Sequence, residues 1–451
     1  MTEATKSREI ALDVLMEVLE KGGFVHEVLR QALEKYQYLP KPDRALVTRL
    51  ANGVVENLLA IDAVIGHCST VKTEKLKPVV RTILRMSVYQ ILWMDRIPDS
   101  AVCNQAVKLA GQRRFTGLKG FVNGVLRTVA RQKGQMGAMI AGEDTPWAIK
   151  YSMPQWLIDM WREAYPDQAV ERLLQAFLEE APTTVRCNRS LACVEDIKRS
   201  LKRQGVEAYP SRLCSHVLQL GRIDYLERLE AFQKGWIQVQ DAASALVGEA
   251  ASPRPGDRIL DLCGAPGGKS LDMADRLNGS GLVALRDVSE GKVALARSSI
   301  ARAGFTNIRA EVWDALEFDP CWEEKADLVV ADLPCSGLGV IGKKPDIKYR
   351  VTAGRIGELE KLQRGILSVA ARYVKPGGKL VYSTCTISRR ENEGQRDWFL
   401  ANFPFVGEDL EGLGGEAIGA GTLKEGYIQL LPGQHPCDGF FIAAFRRKKQ
   451  D

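Results

Sequence analysis

No CxxC pair occurs anywhere in the chain and histidine is scarce: 10 cysteines at irregular spacings and 4 histidines among 451 residues outline neither a zinc site nor a disulfide framework. A chain of this length buries a sizeable core without staples, so a reducing, cytoplasmic setting is expected, with no structural or catalytic metal. Long apolar runs are also missing. Nothing approaches the roughly 18 to 20 uninterrupted apolar residues of a membrane span, and Met1 to Ile10 is polar and charged, unlike a secretory leader. Two or three domains and a monomer without membrane association are the default expectation.

Acid is absent over one long stretch. Between Asp99 and Glu143 there is no Asp or Glu, while Lys108, Arg113, Arg114, Lys119, Arg127, Arg131 and Lys133 are all basic. Over Met1 to Lys150, 22 Lys and Arg stand against 15 Asp and Glu, so this third carries the whole +6 of the chain. An ordinary charge run is a solvated helix face; one without acid partners suits phosphates, and a polyanion such as RNA is the expected partner. Apolar residues recur at three-to-four spacing here, as in Ile10, Val14, Leu15, Val18, Leu19 and Val79, Ile83, Leu84, Val88, Leu92, which predicts an all-helical bundle. Up to Phe121, Val122, Asn123, Gly124, Val125, Leu126 and Arg127 the pattern resembles the NusB fold, an RNA-binding helical domain. Lys133 to Thr145 has the composition of a linker, so a helical domain is expected over 1–140.

Next, short strand candidates (Thr183 to Cys187, Val217 to Leu220, Trp236 to Gln240) alternate with helix candidates (Val194 to Gln204, Tyr225 to Phe232), predicting a small α+β, RRM-like module over 146–235. From Arg258 onward the pattern is apolar strand, Gly-rich turn and amphipathic helix: strands at Arg258 to Cys263, Gly281 to Leu285, Asp327 to Ala331 and Lys379 to Ser383. That predicts an α/β, Rossmann-like domain over 236–451, with ligands beyond the carboxyl ends of its parallel strands.

Strand Arg258 to Cys263 runs into Gly264, Ala265, Pro266, Gly267, Gly268, Lys269 and Ser270, a turn that lets a ligand approach backbone amides at a helix start. A phosphate loop needs GxxxxGK[ST], but Cys263 stands where its first glycine belongs. A dinucleotide loop needs GxGxxG, which no window here satisfies. The remaining use is the class I methyltransferase version of the fold, with S-adenosyl-L-methionine as cofactor. Asp261 and the glycine turn would then face its methionine end. Asp287, 19 residues past Gly268, would accept from the ribose hydroxyls, and Asp314 would approach the adenine amino group.

Two cysteines fall on the same edge, Cys335 after Asp332, Leu333 and Pro334, and Cys385 after Ser383 and Thr384. For Cys68, Cys103, Cys187, Cys193, Cys214, Cys263 and Cys321 the bland reading holds, a small hydrophobe. For these two, chemistry offers more. Carbon 5 of cytosine is a poor nucleophile until a thiolate adds at carbon 6, which demands a reactive cysteine. Asp332, one strand end away, could hydrogen-bond ring nitrogen 3 if it held or shared a proton. Local sequence does not rank the cysteines.

These Pro-Cys and Thr-Cys motifs within one Rossmann-like domain resemble the RNA cytosine-5 methyltransferases of the NOL1/NOP2/Sun group, and among them the bacterial RsmB (Fmu, Sun) branch that acts on 16S rRNA. The resemblance spans the chain, from the NusB-like helices through Gln240, Asp241, Ala242, Ala243 and Ser244 to Asp438, Gly439, Phe440 and Phe441. It implies Cys385 as nucleophile, Cys335 as the residue aiding product release, and 16S rRNA or a partly assembled small subunit as substrate. Lys269 matches the family's Gly-Gly-Lys and would touch base or cofactor carboxylate, or else lie on the surface. Lys348, in Pro345, Asp346, Ile347 and Lys348, would contact a phosphate. Gly264, Ser270, Leu333 and Arg286 depart from the family's usual residues, and Arg286 is expected to pair with Asp287 or to reach solvent. The rival readings are a non-catalytic NusB-like RNA-binding protein, a phosphate-loop NTPase, and a methyltransferase acting on another RNA such as tRNA.

Overall fold

The computed structural model describes residues 3–449 apart from 222, 224, 419 and 420. The chain divides into two compact units, Met1–Leu178 with Lys343–Arg350, and Glu179–Gly342 with Val351–Asp451.

The first unit is helical. Its longest elements are Glu3–Lys21, Lys41–Glu56, Pro78–Trp93, Asp99–Gln112 and Lys119–Arg131. The three-to-four spacing puts Ile10, Val14, Leu15 and Val18 into one core with Ile83, Leu84 and Val88, while Leu19, Val79 and Leu92 pack at its edge. Gly53 is required where Lys41–Glu56 crosses Pro78–Trp93, because a Cβ there would lie 2.0 Å from the Tyr89 ring.

Two expectations need correcting here. Lys133 to Thr145 is not a linker: Lys133–Ala141 is a helix that buries Met136 and Ile140, because four-residue apolar spacing outweighs its two glycines once a face is buried. The helical unit continues beyond it, to Leu178. Nor is the basic stretch wholly without acid partners. Arg113 pairs with Asp13 at 2.6 Å and Lys133 with Asp95 at 3.1 Å, both acids lying far off in sequence. Lys108, Arg114, Arg127 and Arg131 are exposed.

The second unit holds two sheets. The smaller comprises β1 (Thr183–Cys187), β2 (Ala208–Pro210), β3 (Val217–Leu220) and β4 (Ile237–Val239), antiparallel in the order β2-β3-β1-β4. Helix Val194–Arg203 covers one face through Ile197 and Leu201. The larger sheet has β5 (Arg258–Asp261), β6 (Leu282–Asp287), β7 (Ile308–Val312), β8 (Ala326–Asp332), β9 (Val374–Thr384), β10 (Phe405–Gly407), β11 (Tyr427–Leu430) and β12 (Phe440–Arg447). Its order is β10-β12-β9-β8-β5-β6-β7, with β11 on β12. Strands β5 to β9 are parallel, and β12 runs antiparallel to its neighbours β9, β10 and β11. The centres of the inner parallel strands, Ile259 and Leu260 of β5, Val283 to Leu285 of β6 and Leu328 to Ala331 of β8, are apolar and buried, as expected where helices cover both faces. This mixed α/β sheet, the α+β module and the all-α unit make the multidomain architecture expected from the sequence.

Candidate active site

Because β5 to β9 are parallel, their carboxyl ends share one edge, and strand order sets the sequence of groups along it: Cys385 after β9, Asp332 ending β8, Asp261 ending β5, Asp287 ending β6, and Asp314 just beyond β7. Strand order reverses between the neighbours β5 and β8, since β6 and β7 are added on one side of β5 and β8 and β9 on the other, and such a switch point is the usual place for a ligand crevice.

At β5 the chain turns through Leu262 to Gly267 into helix Gly268–Leu277. The Gly264 amide donates to Arg286 O at 2.9 Å and the Gly267 amide to Gly264 O at 2.8 Å. The Ala265-Pro266 peptide is cis, and Gly267 holds φ +106° at the helix start, a conformation that favours glycine. Gly264 leaves no room for a side chain, since a Cβ would lie 2.6 Å from the Asp261 carboxyl carbon. Asp261 is fully buried. It accepts from Ser270 Oγ at 2.5 Å, and its Oδ1 has no partner among the described atoms. Burial pushes its carboxyl up to about 7, with the Ser270 hydrogen bond opposing. A buried carboxylate oxygen without a donor, beside a side-chain-free turn, suits a ligand carrying an ammonium or hydroxyl group.

Asp287 is buried and accepts from the Ser289 amide at 2.9 Å, and Asp314 is exposed and accepts from the Leu316 amide at 2.9 Å. Each thus caps its own turn while lying on the ligand edge. Cys263 is half-buried, and burial raises its thiol well above the ordinary value.

Arg286 neither pairs with Asp287 nor reaches solvent. It is buried, with Asp319 at 2.5 Å, Glu311 at 3.2 Å and the Trp313 ring at 4.5 Å. Alternation along β6 turns its side chain to the face opposite that of its neighbour Asp287, and an acid from the β7–β8 connection meets it there.

Lys269 is not a surface lysine. Its Nζ donates to Asp332 Oδ2 at 2.6 Å and lies 5.2 Å from the Phe440 ring centre. Ser383 Oγ donates to Asp332 Oδ1 at 2.7 Å. Asp332 therefore acts as acceptor on both oxygens, and the donor of this pair is the ammonium of Lys269.

The two cysteines meet. Cys335 Sγ and Cys385 Sγ lie 3.4 Å apart, and both residues are half-buried. Hydrogen bonding to Cys385, together with burial, pushes the Cys335 thiol well above its ordinary value. Residues that sequence reasoning did not assign hold this pair. Glu391 receives the Ser336 amide at 2.8 Å and Ser336 Oγ at 2.5 Å, and Ser336 Oγ also meets Thr386 Oγ1 at 2.7 Å. Asn392 joins Thr384 Oγ1 at 2.6 Å, Thr386 O at 3.0 Å and Gln429 at 2.6 Å. The Gly339 amide donates to Cys385 O at 3.0 Å and the Gly439 amide to Gly339 O at 2.9 Å. A polar Glu-Asn pair just past a buried strand was the only signal in the sequence. Gly439 was named only as part of the resemblance, and Gln429 carried no signal.

Lys348 is also corrected. It lies in the helical unit, almost fully buried, with Nζ donating to Glu56 O at 2.7 Å. It is not available to a phosphate.

Known proteins place this architecture. Residues 5–131 match the NusB family, residues 153–224 the ferredoxin-like domain of the RsmF/B-like methyltransferases, and residues 249–446 the family described as 16S rRNA methyltransferase RsmB/F. Probable ribosomal RNA small subunit methyltransferase B of Bacillus subtilis is 34% identical over 98% of this chain and 99% of its own. Ribosomal RNA small subunit methyltransferase B of Vibrio cholerae is 30% identical over 98% of this chain and 97% of its own. The crystal structure of PH0851 superposes with a TM-score of 0.81 at 26% identity over 99% of both chains. With all three domains matched in order and relatives aligned from end to end, the protein belongs to the RsmB/F family of S-adenosylmethionine-dependent 16S rRNA methyltransferases.

Proposed function

We propose that the protein methylates carbon 5 of a cytosine in 16S rRNA, with Cys385 as nucleophile and Cys335 assisting release. The observation that carries this is the pair of thiols 3.4 Å apart after adjacent strands β8 and β9, with Asp332, ion-paired to Lys269, ending β8. The thiolate of Cys385 forms a bond to carbon 6, making carbon 5 enamine-like. When bound, S-adenosylmethionine supplies the electrophilic methyl group, and the new carbon–carbon bond leaves S-adenosylhomocysteine. Loss of the carbon 5 proton to a base returns the electron pair that expels the Cys385 thiolate, and Cys335, with its sulfur 3.4 Å from that of Cys385, assists this release. Lys269 and Asp332 offer a donor and an acceptor to the ring nitrogen 3 and amino edge of the base, so the proton donor at nitrogen 3 is the ammonium rather than the carboxyl of Asp332.

The cofactor contacts are assigned to Asp261, Cys263, Gly264, Ala265, Pro266, Gly267, Gly268, Lys269, Asp287, Asp314 and Asp332, with the unpartnered Asp261 Oδ1 and the side-chain-free Gly264 as the observations supporting the fit. Carbon 6 cannot be attacked within a stacked helix, so the cytosine must be flipped or single-stranded. We divide the labour among a NusB-like RNA-gathering domain, the small module whose last strand is β4, and the catalytic domain that follows it.

The test is transfer of labelled methyl to 16S rRNA, naked and in a partly assembled subunit, with tRNA as competitor, by wild type, Cys385→Ala and Cys335→Ala. Gels would reveal protein attached to RNA, and nucleoside analysis would identify 5-methylcytosine. The expected result is an inactive, unattached Cys385→Ala and a Cys335→Ala that accumulates the adduct. The reverse pattern would exchange the two roles, and no transfer by wild type would end the reading.

A further inference from the structure

A module of this type that read RNA across its sheet would need an open face carrying aromatic residues. Here both faces are covered over the central strands, and the aromatic residue on edge strand β2, Tyr209, is exposed with its hydroxyl donated to Glu207. Val185, Cys187, Leu218 and Leu220 pack against helix Val194–Arg203. On the other face Val217 joins the core of the catalytic domain with Ala243, Met273 and Ala274. Beside it Arg186 is fully buried, its guanidinium 3.6 Å from Asp272 and 3.8 Å from Asp275 of the cofactor-loop helix. What stays open is the far side of the helix.

There a cleft of about 700 Å³ runs between the helix and the turn before β4. Its floor is apolar, formed by Leu191, Ala192 and the half-buried Trp236. Its rim carries Arg199, Lys202 and Arg203, all exposed; Arg199 engages Asp196, and Arg203 lies 3.6 Å from Glu230. Lys234 adds a fourth cation, 4.7 Å from the Trp236 ring centre, although it also pairs with Glu230. Basic residues in a helix's last turn serve the helix dipole wherever they occur, but that role requires neither a cleft nor an indole beside them.

We infer that this cleft is a second RNA subsite, taking one unpaired nucleotide of the rRNA, its base against Trp236 and Leu191 and its phosphates on Arg199, Lys202 and Arg203. A cytosine drawn out of its stack leaves unpaired neighbours, and unpaired strands bind where an aromatic floor meets a basic rim. With Lys234 and Glu230 counted, four cations stand against two anions around the cleft, an excess that fits a polyanion, and the indole floor favours one carrying flat bases over an acidic protein segment. The inference rests on rRNA being the substrate.

The experiment uses the full chain with a fluorescent single-stranded oligocytidine as binding probe and 16S rRNA as methyl acceptor. Lys202→Glu with Arg203→Glu should weaken oligonucleotide binding about tenfold or more and flatten the dependence of log K on log salt by about 1 to 2. It should raise KM for rRNA while kcat and S-adenosylmethionine affinity stay as in wild type. Lys202→Arg with Arg203→Lys should keep wild-type values. Wild-type protein irradiated with 4-thiouridine RNA should crosslink at the peptide holding Trp236 or at that holding Leu191. A charge-reversed variant with wild-type affinity, salt slope and KM, together with crosslinks only elsewhere, overturns the subsite. If wild type methylates no rRNA yet its oligonucleotide binding still responds to the reversal, the methylation reading falls and the subsite stands; methylation that ignores the reversal sinks the subsite alone.

Discussion

Lys348 should make the stability of the helical unit depend on pH in a way that one substitution abolishes. Burial pushes its ammonium from 10.5 down to about 7, with the Glu56 charge opposing. A displacement of that size corresponds to roughly 5 kcal/mol of preference for the neutral amine. The sign follows from linkage. Below pH 7 both folded and unfolded chains carry the charge, and the folded chain bears the whole cost of burying it. Between about 7 and 10.5 the folded chain has released its proton and the unfolded chain has not, so stability rises with pH by about 1.4 kcal/mol per pH unit. Above 10.5 the cost is gone. Lys348→Met keeps the length of the side chain without the charge. It loses the hydrogen bond to Glu56 O, worth about 1 kcal/mol net. Urea unfolding of both proteins from pH 6 to 10.5, followed by a probe in the helical unit, gives a difference curve free of every other titrating group. Wild type should gain on the variant steadily above pH 7. A difference that is flat across this range, or that falls, would refute the buried, discharged lysine.

Lys269→Met leaves Asp332 without its ammonium partner, and methyl transfer should fall about 10² to 10³-fold while rRNA retention in gel shift is unchanged; Lys269→Arg should recover part of the rate, and a Met variant at wild-type kcat would remove Lys269 from the chemistry. Gly339→Ala places a Cβ 2.0 Å from Gly439 O and 2.8 Å from Cys385 O. It should cost about 1 to 3 kcal/mol by overpacking and should displace the strand end bearing the nucleophile, read as a larger loss in adduct formation than in melting temperature. Arg186→Met removes a buried guanidinium from Asp272 and from Asp275, which keeps the Arg189 and Ser190 amides and the Ser190 hydroxyl. Arg276 stays 3.0 Å from Asp272, so the cost should lie near the low end of the roughly 3 to 5 kcal/mol seen on breaking buried ion pairs; chemical denaturation showing less than about 1 kcal/mol would deny the network its structural role.

How much was legible follows from the range over which each signal acts. Helical periodicity, the alternation of strand and glycine turn, and the two cysteine motifs are local. They depend on residues within a few positions, so the bundle, the parallel sheet and the edge bearing Asp261, Asp287, Asp332 and Cys385 could be read directly from the chain. Composition misled where local preference competed with burial. Gly134, Gly137 and Gly142 suggested a linker, but Met136 and Ile140 had a core to enter. Tertiary structure alone decided the partners. Arg286 meets Asp319 instead of Asp287, Lys269 meets Asp332, and Lys348 is buried against Glu56, 292 positions away. A charged or polar group takes whichever complementary group the fold brings within about 3 Å, and sequence separation does not carry that distance. The 3.4 Å between Cys335 and Cys385 is of the same kind. Their sequence determined that each thiol sits at a strand end, and only the adjacency of β8 and β9 in the sheet brought them together.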